Sequence, residues 1–217
     1  MSEQSLFRGG RYKLTVTTDP FETYPAIIAD SESGKGRIER AALFLFSQST
    51  IEGVSTKRIA EEAGVSEGLL YRHFRNKEAL ARALMLTIHT RLSRMILDID
   101  GLDIPLEEKI RRIVIDYCRI ADADWPLFRY HILHLHRFAG LTDQPEESPH
   151  GAAASLLEKA MRSGDLPSED ANLLAAMALG VVLQAAQTKV LGALDGPLLP
   201  HSGRLSRGVL SVLELEG

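Results

Sequence analysis

Residues 55–80 read STKRIAEEAGVSEGLLYRHFRNKEAL, two short amphipathic segments joined at Ala63-Gly64-Val65-Ser66. Ser55 is a good N-cap for a helix over Thr56–Ala63 that buries Ile59, Ala60 and Ala63. Gly64 is placed to take the left-handed turn that stops this helix. Ser66 then caps a second helix, Glu67–Phe74, whose Leu70 and Phe74 lie four apart on one face. Two helices meeting steeply over so short a turn have no space for large side chains, which is why small residues stand at Ala60 and Gly64. The stretch therefore predicts a helix-turn-helix.

Working outward, Ile38, Ala41, Ala42, Leu45 and Phe46 recur at helical spacing, so a helix is expected from Arg37 to about Gln48. Asn76 starts another, with Leu80, Leu84 and Ile88 inward, that breaks at Asp98–Asp103. Further helices are expected over 105–121, Trp125–Arg137, 150–163, 169–191 and 204–215, separated by Pro145 and Pro149, by Gly164–Pro167 and by Asp195–Gly203. No strand or internal repeat is evident in the body, and the fold class is all-α: a three-helix DNA-binding unit plus a larger C-terminal helical domain. The expected organisation is a flexible extension over 1–34, a helix-turn-helix domain over 35–82 and a larger helical domain over 83–217.

The 217 residues are 45% hydrophobic and 25% charged with a formal net charge of −4, an ordinary globular composition. No apolar run is read as reaching membrane-spanning length, no secretory leader is recognised, and Cys118 is the single cysteine, so a cytoplasmic protein with no membrane association is expected. Net acidity speaks against nucleic acid only when it is uniform. Residues 35–78 carry eight Lys/Arg against six Asp/Glu, a local positive bias on an acidic body.

Residues 37–84 resemble the N-terminal domain of the TetR family of transcriptional regulators. The resemblance rests on Thr56, Ile59, Ala60, Ala63-Gly64-Val65-Ser66, Gly68, Leu70-Tyr71-Arg72-His73-Phe74 and Lys77-Glu78-Ala79-Leu80. It implies double-stranded DNA as partner, with α-helical residues in the major groove and the helix ends on phosphates. Thr56, Lys57, Ser66, Glu67, Gly68, Tyr71, Arg72, His73 and Lys77 are the candidate DNA contacts. Gly68 lets backbone approach the duplex, Tyr71 and His73 can donate to phosphate, and Arg72 and Lys77 add charge. Glu67 can only accept, for instance from a cytosine amine, or favours the helix N-terminus.

The same resemblance implies a small-molecule effector cavity in the body, with Tyr117, Trp125, Phe128, His131 and Met177 as candidate lining residues. Residues 171–193 hold seven alanines and two glycines. Ala176 and Gly180, together with the stripe Leu205, Val209, Val212 and Leu213, suggest a helical contact between two subunits of a homodimer. The function expected is that of a repressor binding a near-palindromic operator as a dimer and released by the effector. No cofactor is expected, and no catalytic residues are assigned, since no phosphate loop, GxSxG, HExxH or CxxC occurs. Two rival readings stand beside this one: an all-α small-molecule-binding protein or enzyme with a structural N-terminal unit, and a metal-sensing regulator using Cys118 with His131, His134 and His136.

Overall fold

The structure is a computed structural model that describes residues 32–138, 140–141 and 147–215. The expected extension over 1–34 lies outside these residues except for its last three, and Gly34 already begins a helix. The helices in chain order are α1 Gly34–Gln48, α2 Thr56–Glu62, α3 Glu67–His73, α4 Lys77–Asp100, α5 Leu106–Ala123, α6 Trp125–His134, α7 Pro149–Ser163, α8 Ala171–Val190 and α9 Ser202–Val212. Short 3-10 turns follow α6 at Leu135–Phe138 and precede α9 at Leu199–His201. Among the described residues there is no strand.

Side-chain caps set most of these boundaries. Ser33, Ser55, Ser66, Asn76, Asp124, Ser148 and Asp170 each accept a backbone N–H at the start of the helix that follows. Capping by Ser33 starts α1 three residues earlier than its apolar stripe alone predicts. The apolar residues of α1, α2 and α3 close a small core in which Ile38, Phe46, Ile59 and Leu70 are fully buried. Gly64 has φ +62°, and a Cβ built there would meet nothing within 4 Å, so the glycine is needed for its backbone angle rather than for space. Gly64→Ala is expected to cost about 1–2 kcal/mol, seen as a lower urea midpoint at unchanged slope.

The long helix α4 runs unbroken across the expected domain boundary at 82/83 and carries the N-terminal unit into the body. Its inner face, Leu80, Leu84, Ile88, Leu92 and Met95, is buried throughout. The N-terminal unit is further tied down by α6. Arg129 Nε donates to the Ser47 carbonyl at 2.7 Å, His134 Nε2 lies 2.9 Å from the Phe46 carbonyl, and Tyr130 Oη donates to the Ala81 carbonyl at 2.8 Å. The first two satisfy carbonyls that the end of α1 leaves without helical partners. Arg137, in the 3-10 turn after α6, bridges Glu52 at 2.5 Å and Glu78 at 2.9 Å, joining the α1–α2 loop to the start of α4.

Helices α5, α7, α8 and α9 pack with the rest of α4 into the body. The Asp122 carboxylate accepts from the Leu198 and Leu199 amides at 2.7 and 2.8 Å and so pins the connection into α9. By length and composition α8 could cross a membrane, with mean hydropathy 1.5, which corrects the expectation that no segment reaches that length. Asn172, Gln184, Gln187 and Lys189 interrupt it, and it is packed against α6, α7 and α9.

Candidate nucleic-acid interface and ligand cavity

Most of the expected DNA contacts on α2 and α3 are exposed. Lys57, Ser66, Gly68, Tyr71, Arg72 and His73 are exposed, with Tyr71 at 52%. A Cβ at Gly68 would meet only the Ser66 hydroxyl, at 3.8 Å, so nothing among the described residues calls for a glycine there. Thr56 and Glu67 are half-buried and linked: the Thr56 hydroxyl donates to Glu67 Oε2 at 3.2 Å, and the Tyr71 hydroxyl lies 3.1 Å from Thr56 Oγ1. Since Thr56 has one proton to give, Tyr71 donates to it, and a chain of donors fixes the Glu67 carboxylate at the head of α3.

Lys77 departs from the expectation of a free cation. Its ammonium donates to the carbonyls of Glu52 at 2.7 Å and Val54 at 3.0 Å, fastening the α1–α2 loop to the start of α4. Two of its three protons are thereby committed to structure, leaving one for any other acceptor.

The body encloses a cavity of about 350 Å³ between α4, α5, α7, α8 and α9. Of the residues expected to line it, Tyr117 and His131 do. Phe128 is fully buried one layer behind, with its ring 5.0 Å from Tyr117 and 5.9 Å from His131. Trp125 stacks on Phe128 at 6.1 Å and lies under the Lys189 ammonium at 4.6 Å, away from the cavity. Met177 is 47% exposed on the outer side of α8 and is no lining residue; α8 lines the cavity with Ala178, Leu179, Val182 and Leu183 instead. His89 was missed. It stands in a second buried stripe of α4, Met85, His89, Leu92 and Ile96, one residue round from the stripe read in the sequence.

Burial holds both cavity histidines neutral, pushing His131 down to about 3 with His89 adding to the shift, and lowering His89 as well. His131 Nδ1 lies 3.4 Å from the Met85 sulfur. Both nitrogens of His89 and the Tyr117 hydroxyl are buried with no hydrogen-bond partner among the described residues. The Cys118 thiol is buried and pushed up to about 12. His134 faces α1, and among the described residues no three His, Cys, Asp or Glu side chains converge to hold a metal ion, so the metal-sensing arrangement is not formed.

Of the expected subunit-facing residues, Ala176 and Gly180 are exposed on α8 beside Leu173 and Met177. Leu205 and Val212 are half-buried. Val209 and Leu213 are corrected: both are buried and line the cavity, because the apolar stripe of α9 covers the chain's own core.

A glycine-turned helix pair with an open, partly cationic face, set on an all-α body, defines a helix-turn-helix DNA-binding domain. Residues 38–84 match the family described as bacterial regulatory proteins, tetR family. An HTH-type transcriptional regulator of Staphylococcus aureus (strain USA300) is 43% identical over 51 residues, 24% of this chain and 28% of that protein. The chain is thus aligned with little more than a quarter of that relative's length. Beyond the matched segment the fold likeness continues. The fatty acid degradation regulator FadR from Bacillus halodurans superposes with TM-score 0.71 over 80% of this chain and 96% of that one at 20% identity. Bacillus subtilis FadR, in complex with stearoyl-CoA, gives TM-score 0.71 over 81% and 97% at 20% identity. Mycobacterium smegmatis AmtR gives 0.65 over 86% and 88% at 24%. Residues 38–84 thus match the TetR family's N-terminal domain, and the body has the same fold as these regulators.

Proposed function

We propose that this protein is a ligand-responsive transcriptional repressor of the cytoplasm, binding a near-palindromic DNA operator as a homodimer and released by a small molecule held in the body. The observation that carries the reading is the open face of α3, where Gly68, Tyr71 and Arg72 stand clear of the protein's own packing. The 35–82 unit reads the duplex and the 83–217 part binds ligand and partner. Exposed Leu173, Ala176, Met177 and Gly180 on α8 supply an apolar face for a second copy, and a two-fold pair presents two reading helices to successive major-groove faces. That a FadR of like fold holds stearoyl-CoA supports a ligand in this body too. The ligand acts by favouring one arrangement of α4 and α6 over another, since these helices join the cavity wall to the N-terminal unit.

Selection of bound sequences from random duplexes tests the reading, and recovery of a two-fold repeat is the expected result. On the selected duplex, Arg72→Ala is expected to weaken binding and to flatten the dependence of log affinity on log salt by about one unit. Recovery of no preferred sequence overturns the proposal, and an unchanged slope removes Arg72 from the phosphate contacts.

A further inference from the structure

The cavity is walled mainly by aliphatic side chains, and among the described residues no Asp, Glu, Lys or Arg lines it. His89 and Tyr117, 7% and 6% exposed, are nevertheless among the lining residues, and the two ring nitrogens of His89 and the Tyr117 hydroxyl are buried without partners among the described residues. Such atoms buried without hydrogen bonds are costly, and a site that keeps them is built for a ligand that satisfies them. Of the lining residues that are exposed, His150 marks the mouth at the start of α7, while Ala176 belongs to the α8 face given to the second copy. Within the lining, His89 and Tyr117 are thus the buried polar residues, and Ser148 and His150 the polar residues nearer solvent.

We propose that the cavity takes an uncharged, largely apolar molecule that enters polar end first, its one carbonyl or hydroxyl group pairing with Tyr117 and His89. The proposal rests on the reading of this cavity as the effector site. A carbonyl oxygen accepts from the Tyr117 hydroxyl and from the N–H of a neutral His89, and a ligand hydroxyl can also donate to the other ring nitrogen. A carboxylate or ammonium finds no opposite charge on these walls and would be desolvated uncompensated. An acyl chain threaded tail first, with its thioester and headgroup left at the mouth, leaves His89 and Tyr117 unpaired. At about 350 Å³ the cavity is at the small end of ligand sites.

The test is calorimetric titration of the full chain near neutral pH with 2-decanone, decanoate, decylammonium and decanoyl-CoA. The ketone is expected to bind one per chain, at least about tenfold more tightly than any of the three charged probes. Tyr117→Phe keeps the ring against Phe128 and is expected to weaken the ketone by about fivefold or more, leaving decanoate as it was. His89→Gln serves in its place should that variant fail to fold. A charged probe binding as tightly as the ketone, no saturable ketone binding, or a ketone affinity indifferent to both substitutions overturns the proposal. The ketone binding as expected while the selected duplex stays fully bound leaves the ligand class standing and removes ligand release from the function.

Discussion

The Gly68→Glu protein is expected to lose about 100-fold or more in duplex affinity while remaining as stable as its parent. Gly68 is the second residue of α3 after its Ser66 cap, and its missing side chain leaves open space. Judged by the fold alone the glycine is a defect. Glycine in a helix costs close to 1 kcal/mol against a good helix former, and an acid in the first turn faces the favourable end of the helix dipole. Thermal unfolding should therefore show Tm unchanged or raised by about 2–4 °C. Binding moves the other way, because the new side chain fills the gap through which backbone meets the duplex and sets a charge against phosphate. Gly68→Ala adds one methyl without charge and is expected to fall between. The opposition of the two effects is the discriminating feature: a general loss of folding lowers both, and a face that meets no DNA leaves binding untouched. Retained affinity for the selected duplex would remove α3 from the groove.

The same residue shows what a sequence can and cannot declare. The N-terminal unit was legible because its determinants are local: a cap, a positive-φ glycine and an apolar pair four apart each act within a turn of helix. The fold class was legible for the same reason, helix by helix. What stayed hidden depends on which way a helix faces once it is packed. Val209 and Leu213 lie on the stripe of α9 that looked subunit-facing, yet they close over the cavity, since a stripe shows that a face is covered and not by what. Met177 was given to the cavity and points outward from the same helix whose Val182 lines it. Lys77 reads as a basic residue at a helix start, and only the folded α1–α2 loop supplies the two carbonyls that engage it. His89 was passed over because a single histidine next to an apolar stripe gives no sign of being buried. Its neighbours three and four residues away, Met85 and Leu92, mark a second buried face that a wider reading of α4 would have included.

Acid should destabilise the protein through the cavity, and His131 is the group expected to dominate. In the unfolded chain its imidazole titrates near the ordinary value of 6.5, whereas burial in the folded body, with His89 beside it, holds it down to about 3. Between those values the unfolded chain binds a proton that the folded chain does not, so stability rises with pH and is lost as pH falls below about 6.5. Each pH unit in that window is worth about 1.4 kcal/mol from one such group, or about 2 kcal/mol between pH 6.5 and 5. His89, also lowered by burial, adds in the same direction. The rings stand 5.3 Å apart, edge to face, so the first to take a proton raises the cost of the second. Other groups titrate over the same range, which is why the measurement is a difference: urea midpoints of the parent and of His131→Phe at a series of pH values. Phenylalanine keeps a flat ring among Phe128, His89 and Met85 and takes up no proton. The parent's stability relative to the variant should fall steadily from pH 6.5 to 5 and be constant above pH 7.5. A relative stability that does not change with pH would mean that His131 is already reached by water or by a proton-sharing partner in the folded state, and that burial does not hold its imidazole neutral.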